Sequence, residues 1–184
     1  MTTGDAGSCP GCITAPADAA QIAGDYLFAL SAYLDPSNPV LFAAKVTAAP
    51  GSGGAIELGL HLEALAAADR KTVVGNEPED FGPFTAGADG CFDGELGHVA
   101  VAGAANPISG SNLVVEEAVL HGALCAPGDF HCGTVTGKVT EPIPVDLSSK
   151  GGSHFTLQRL DEPGKYPEPP YINCEKDEAK PLEK

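Results

Sequence analysis

Hydrophobic and polar residues alternate along most of this chain. The clearest stretch is AIELGLHLEAL (55–65), with Ile56, Leu58, Leu60 and Leu62 on one face and Glu57, His61 and Glu63 on the other. Period two over this length predicts a half-buried strand, because a helix would scatter the leucines. The same period runs through 25–34, where Tyr26, Phe28 and Leu30 share a face and Leu27 breaks the polarity of the other. It returns in 40–48, where Val40, Phe42, Ala44 and Val46 oppose Lys45 and Thr47. Further strands are predicted at 81–86, with 71–75 as a forerunner, and at 91–102, 112–124, 130–140 and 153–160. Pro83 implies an edge or a bulge, and the glycines of CFDGELGHVAVAG imply a bend or bulge in 91–102. Turn formers such as DPSNP (35–39) separate the segments.

Short links make sequential neighbours pair antiparallel. The expected fold is all-β: an eight-stranded antiparallel meander closed into a small barrel, which removes both sheet edges. A β-sandwich is the alternative. Residues 1–23 read as a flexible N-terminal arm with one helical turn near Asp18–Ile22, residues 24–160 as the barrel, and residues 161–184 as an acidic, Pro-rich C-terminal tail. Cys174 inside that tail implies that it is pinned.

The segment 111–140 reads as a hairpin at the centre of this plan. Cys125 and Cys132 stand at its tips, with Pro127, Gly128 and Asp129 as turn formers between them. A bridge there suits cross-strand spacing, and so short a loop gives about 2.5 kcal/mol in chain-entropy terms. His131 points to the opposite face from Cys132, away from any nucleophilic role for that thiol. The other cysteines are Cys9, Cys12, Cys91 and Cys174, and their pairing is open among the 15 that six cysteines allow. The C-P-G-C of Cys9–Cys12 lacks the βαβ context of a redox motif and a second pair for zinc, so a structural role is expected.

The formal net charge is −15, which argues against phosphate backbones and anionic membrane surfaces as partners. No segment has the length of a transmembrane helix. Absence of Trp weakens a sugar-binding reading. The cysteines point to an oxidising, extracytoplasmic compartment, whether secreted, periplasmic or outer-surface. Residues 1–23 lack a basic start and an apolar run, so Met1 is read as following a removed leader.

Candidate chemistry is sparse. Glu117 and His121 are four apart in a strand and so share a face. If that face lines the barrel, an acid and an imidazole stand in an apolar cavity and could orient a ligand or move a proton. The other register buries Val114, Ala118, Leu120 and Leu124 and sends both to solvent; a bulge could serve both. Asp89, Asp93 and Glu95 miss the spacing of a calcium loop, and Asp89-Gly90 reads as a hairpin turn. Glu77, Glu79 and Asp80 form an acidic loop of the usual solvated kind. No fingerprint for a metal, nucleotide or cofactor is present, so none is expected.

The runs YLFALSAYLDPSNPVLFAAKVT, GPFTAGADG and CGTVTGKVTEPIPVDLSSKGGSHFTLQ resemble exported lipoproteins of myxobacterial type over about residues 24–160. That resemblance implies export and carries no activity. In gross plan the chain is similar to up-and-down barrels such as lipocalins and avidins, although it lacks the lipocalin G-x-W. The leading expectation is a non-enzymatic exported barrel binding a small apolar ligand. The alternatives are a structural or surface-interaction subunit with a filled barrel, whose Cys-bearing arms contact neighbouring copies, and, last, an enzyme using Glu117 and His121.

Overall fold

The computed structural model describes residues 18–75 and 79–183. The strands are β1 (Gly24–Ser31), β2 (Val40–Pro50), β3 (Ile56–Ala64), β4 (Glu79–Ala86), β5 (Cys91–Val101), β6 (Leu113–Ala123), β7 (Phe130–Glu141), β8 (Val145–Asp146) and β9 (Ser153–Arg159). They form one sheet in the order β4-β3-β2-β1-β9-β7-β6-β5, with the two-residue β8 added beside β7. All the pairings are antiparallel, and β1 against β9 joins the two ends of the meander, Tyr26 opposite Arg159 through Ser31 opposite His154. The eight main strands thus make a nearly closed barrel, not a sandwich. The 71–75 forerunner is no strand: Val73 makes an isolated bridge to Leu65.

One link of the barrel is missing. β4 and β5 are joined by a tight turn, Gly87 N–H to the Cys91 carbonyl at 3.0 Å, yet no ladder runs between them. Both strands are irregular. Pro83 offers no N–H, the β3–β4 register shifts between Leu58 and Leu60, and the β5–β6 register shifts on either side of Gly97, whose φ is 68°. Bulges re-aim a strand and end its pairing. The seam is therefore held at the 87–90 turn and splays towards the other end of the barrel.

Inward rows meet in a filled body. Phe155 lies at its centre, stacked on Phe28 at 5.8 Å between ring centres and edge-on to Phe92 at 6.3 Å. The ring has room because Gly122 and Gly133 oppose each other across β6–β7. A Cβ on Gly122 would stand 2.5 Å from the Phe155 ring, and one on Gly133 would stand 2.1 Å from the His121 carbonyl oxygen.

β1 is buried on both faces, which explains why Leu27 breaks the polar pattern. Leu27, Ala29, Leu41 and Leu65 form a second, outer cluster, packed against by Leu160, just past β9, and by Tyr166 of the C-terminal tail. That tail is a strap. The Thr156 hydroxyl donates to the Tyr171 carbonyl at 2.8 Å, the Tyr171 N–H to the Gln158 side chain at 2.7 Å, and buried Arg70 to Glu168 at 2.7 Å and the Lys180 carbonyl at 2.8 Å. Cys132 is bonded to Cys174, with Cα atoms 5.3 Å apart.

This corrects the expected Cys125–Cys132 bridge. The β6–β7 register places Cys132 opposite Ala123, so Cys125 lies beyond the strand pair, and Cys132 faces outward onto the strap. Cys91 and Cys125 are each in a disulfide as well; Cys9 and Cys12 lie outside the described residues. The expected arm is shorter at its inner end. Asp18 caps a 3₁₀ turn, Ala19–Gln21, and Ile22 is fully buried.

Gly133→Ala should destabilise the barrel by on the order of 1–3 kcal/mol, because backbone and the Phe155 ring must both give way. Urea unfolding should show a lower midpoint at unchanged slope. Replacing Cys132 and Cys174 together by Ser opens a cross-link with a sequence separation of 42, whose chain-entropy limit is about 4 kcal/mol. A calorimetric melt should fall accordingly.

Candidate functional site

Glu117 and His121 do not share an internal cavity. Glu117 is the bulge residue of β6: its φ is 53°, and the β6–β7 register shifts between Glu116 and Val119. The extra residue lets Val115 and then Ala118 and Leu120 all face inward. Both polar side chains turn outward. Glu117 pairs with Lys138 at 2.8 Å, exposed on both sides. The Nδ1 of His121 lies 2.6 Å from Asp93, and its Nε2 lies 3.0 Å from the Thr136 hydroxyl. The ligand-binding role expected for Glu117 and His121 is thereby corrected, and the acid–imidazole enzyme reading loses its geometry. His61 with Asp80 and His98 with Glu116 repeat the outward His–carboxylate pairing at 2.6 and 2.7 Å. Asp89 caps its own turn by accepting from the Cys91 N–H at 3.0 Å. Glu77 lies outside the described residues.

Among the described residues, the buried titratable cluster lies at the end where the chain enters β1. The Tyr26 hydroxyl sits 2.7 Å from the Ile22 carbonyl, 2.8 Å from the Gly128 carbonyl and 3.3 Å from the His131 Nε2. Arg159 donates to that hydroxyl at 2.7 Å and to the Gly128 carbonyl at 2.9 Å, and its guanidinium lies over the Tyr26 ring at 4.8 Å. The His131 Nδ1 accepts from the Cys125 N–H at 2.9 Å, which fixes the neutral ring with its proton on Nε2. Burial first, then the Arg159 charge, holds His131 down from the ordinary 6.5 to about 4. Burial pushes Tyr26 up to about 12, against the lowering pull of Arg159. Every polar atom has a partner, so the cluster is a plug that closes this end and not a site awaiting substrate.

The other end is different. Four loops meet there: 32–39, 65–75, 102–112 and 142–152. The gap inside the body is only about 20 Å³, but two larger openings adjoin it. An apolar groove of about 260 Å³ runs under Leu34, Ile108 and Ile143 to Val40, Leu113 and Val115. A cleft of about 380 Å³ fills the splayed seam between Glu79 of β4 and Ala100–Ala102, floored by Phe42, Leu62 and Leu113. Leu113 borders the body gap and both openings.

Polar side chains hold this mouth in shape. Buried Asn106 donates to the Ser109 hydroxyl and the Ser111 carbonyl, each at 2.9 Å, and accepts from the Ile108 N–H at 3.1 Å. Asp35 accepts from Asn38 at 2.7 Å and Ser37 at 3.1 Å. The Ser153 hydroxyl donates to the Leu147 carbonyl at 2.9 Å and accepts from the Tyr33 N–H at 3.2 Å. Held so, Leu34 remains 54% exposed, Ile108 42% and Ile143 67%. Exposed large apolar side chains grouped on one rim make it a candidate interaction surface. The sequence shows the turn residues at 35–39 and 106–111, but not that these loops converge.

No family model matches the chain, and no curated protein matches it. Among solved structures, a redesigned beta barrel is similar at 14% identity and a TM-score of 0.36, covering 80% of this chain and 99% of that one; so low a score carries no argument.

His131 makes the plug a pH sensor of the fold. Because its folded pKa lies below the unfolded value, its neutral form contributes full stability above about pH 6.5, and that stability is lost as pH falls towards about 4. The span corresponds to roughly 3 kcal/mol. Urea midpoints measured between these limits should fall for the wild type and lose most of that slope in His131→Gln.

Proposed function

We propose that this protein is an extracytoplasmic, non-enzymatic barrel that binds a small apolar ligand at the mouth, across the groove and the seam cleft. What carries the reading is the apolar groove, which meets the mixed polar and apolar seam cleft at Leu113 above a filled body. Their volumes, about 260 and 380 Å³, approach or fall within the roughly 300–1,000 Å³ of ligand pockets. The mouth loops are fixed by their own hydrogen bonds, so little ordering entropy opposes binding. The expected lining moves with this reading, from the interior of the barrel to its rim. The extracytoplasmic part rests on the disulfides, which persist in oxidising compartments, and agrees with the resemblance to exported lipoproteins.

A second reading has its own support. A filled body and the exposed Leu34, Ile108 and Ile143 also suit a surface-interaction subunit. The C-terminal arm, however, packs on its own barrel rather than reaching for a neighbour.

Titration with neutral N-phenyl-1-naphthylamine separates the two. Ligand binding predicts saturable fluorescence at one equivalent, weakened about tenfold or more in Leu113→Glu, with the far-ultraviolet circular dichroism unchanged. No saturable binding, together with concentration-dependent sedimentation that Ile143→Asp abolishes, would establish the interaction subunit instead.

A further inference from the structure

The C-terminal strap reaches the mouth as well as the side of the barrel. Its residues 170–179 fold back on themselves: the Ile172 N–H donates to the Asp177 carbonyl at 2.9 Å, and the Ala179 N–H to the Pro170 carbonyl at 2.8 Å. Cys174 stands at the tip of this small hairpin, bonded to Cys132. Lys180 stands at its base and meets two mouth loops at once. Its N–H donates to the Ser37 carbonyl at 2.8 Å, and its carbonyl accepts from Arg70 at 2.8 Å. Ser37 belongs to loop 32–39, which lines the groove through Ala32 and Leu34. Arg70 belongs to loop 65–75, which lines the cleft through Val74 and Gly75. That loop passes the restraint on, because the Ala67 N–H donates to the Ala104 carbonyl of loop 102–112 at 2.8 Å.

Arg70 is the knot. It is buried, paired with Glu168 at 2.7 Å, and its φ is 56°. A non-glycine residue keeps such left-handed backbone where its surroundings hold it there. A two-stranded hairpin has little stability of its own, so the order of the strap at Lys180 depends on how the hairpin is docked. Cys132–Cys174 fixes the tip, Ile172 and Ala179 are buried beneath it, and the knot fixes the base. Arg70, Glu168, Lys180 and the two cysteines line neither opening, so whatever they do to binding acts through the loops.

We propose that the strap is the latch of the mouth. Arg70 is a positioning residue that, with Lys180, holds one loop of each opening. The Cys132–Cys174 tether keeps the latch engaged, so that freeing the strap slackens both loops and weakens binding. This rests on the mouth-binding reading and adds how that site is controlled. The coupling runs through local unfolding, because ordering a slack loop on binding subtracts from affinity.

The test measures native-state amide hydrogen exchange and N-phenyl-1-naphthylamine affinity on the whole chain, in the wild type, Arg70→Met and Cys132→Ser/Cys174→Ser. In both variants the amides of Asn38, Ala66 and Ala67 should exchange about tenfold faster or more, and the probe should bind about tenfold more weakly. In Arg70→Met the amides of Leu124 and Arg159, at the closed end, should keep their wild-type rates. His131→Gln, which alters the plug and not the latch, should leave affinity within about twofold. Unchanged exchange at Asn38, Ala66 and Ala67, equal acceleration at both ends in Arg70→Met, or faster loop exchange with affinity kept, would overturn the latch while leaving mouth binding intact. A wild type that binds no probe would overturn mouth binding, and its control by the strap with it.

Discussion

The seating of the Phe155 ring over Gly122 and Gly133 is the contact on which the rest of the barrel depends. β9 closes the meander against β1, and Phe155 is the side chain through which that closure reaches the opposite wall. Its ring fits only where two facing strands both lack a Cβ. Once seated, it stacks on Phe28 and meets Phe92, so a barrel of this strand number has no lumen left. Small eight-stranded barrels can be filled by side chains or can hold one ligand; here aromatic packing makes the first choice for the body. The free volume is thereby displaced to the mouth, where the seam splays and aliphatic residues replace rings.

The two ends of the barrel are finished by opposite means. At the closed end, Tyr26, His131 and Arg159 satisfy one another and the carbonyls of Ile22 and Gly128, and Gly24 leaves space for the guanidinium, whose Nη1 lies 2.2 Å from where a Cβ would stand. A buried network so fully paired rigidifies what it touches. Along the side, the strap covers the outer apolar face of β1 and β2 and is fastened by Cys132–Cys174 and Arg70–Glu168. At the mouth, polar side chains are used to shape loops, and the apolar ones are left uncovered. Rigid support with an uncovered apolar rim is the arrangement that a preformed binding site requires.

Much of this was legible in the sequence, and the exceptions have physical causes. Alternation alone located all eight main strands to within a few residues, because each has one face in the core. Pro83 and the glycines of β5 announced an edge and bulges, and both occur. The direction of Glu117 and His121 was not legible. A single bulge at Glu117 inverts the period, and periodicity cannot say where an extra residue falls. The Cys125–Cys132 bridge looked sound from local spacing, yet Cys174 lies closer in space to Cys132 because the strap returns across the outer face. Leu27 was a visible anomaly whose cause, burial on both faces, is tertiary. The mouth was hidden for the same reason: its residues come from four loops and are united only by barrel closure.

The central claim is that the body is filled and that ligand is held at the mouth. Amide chemical-shift mapping with N-phenyl-1-naphthylamine tests it most directly. Binding at the mouth predicts perturbations confined to Leu34, Val101, Ile108, Leu113 and their neighbours, with Tyr26, His131 and Phe155 unmoved. Perturbations centred on Phe155 and the plug residues, or none anywhere at saturating probe, would contradict it.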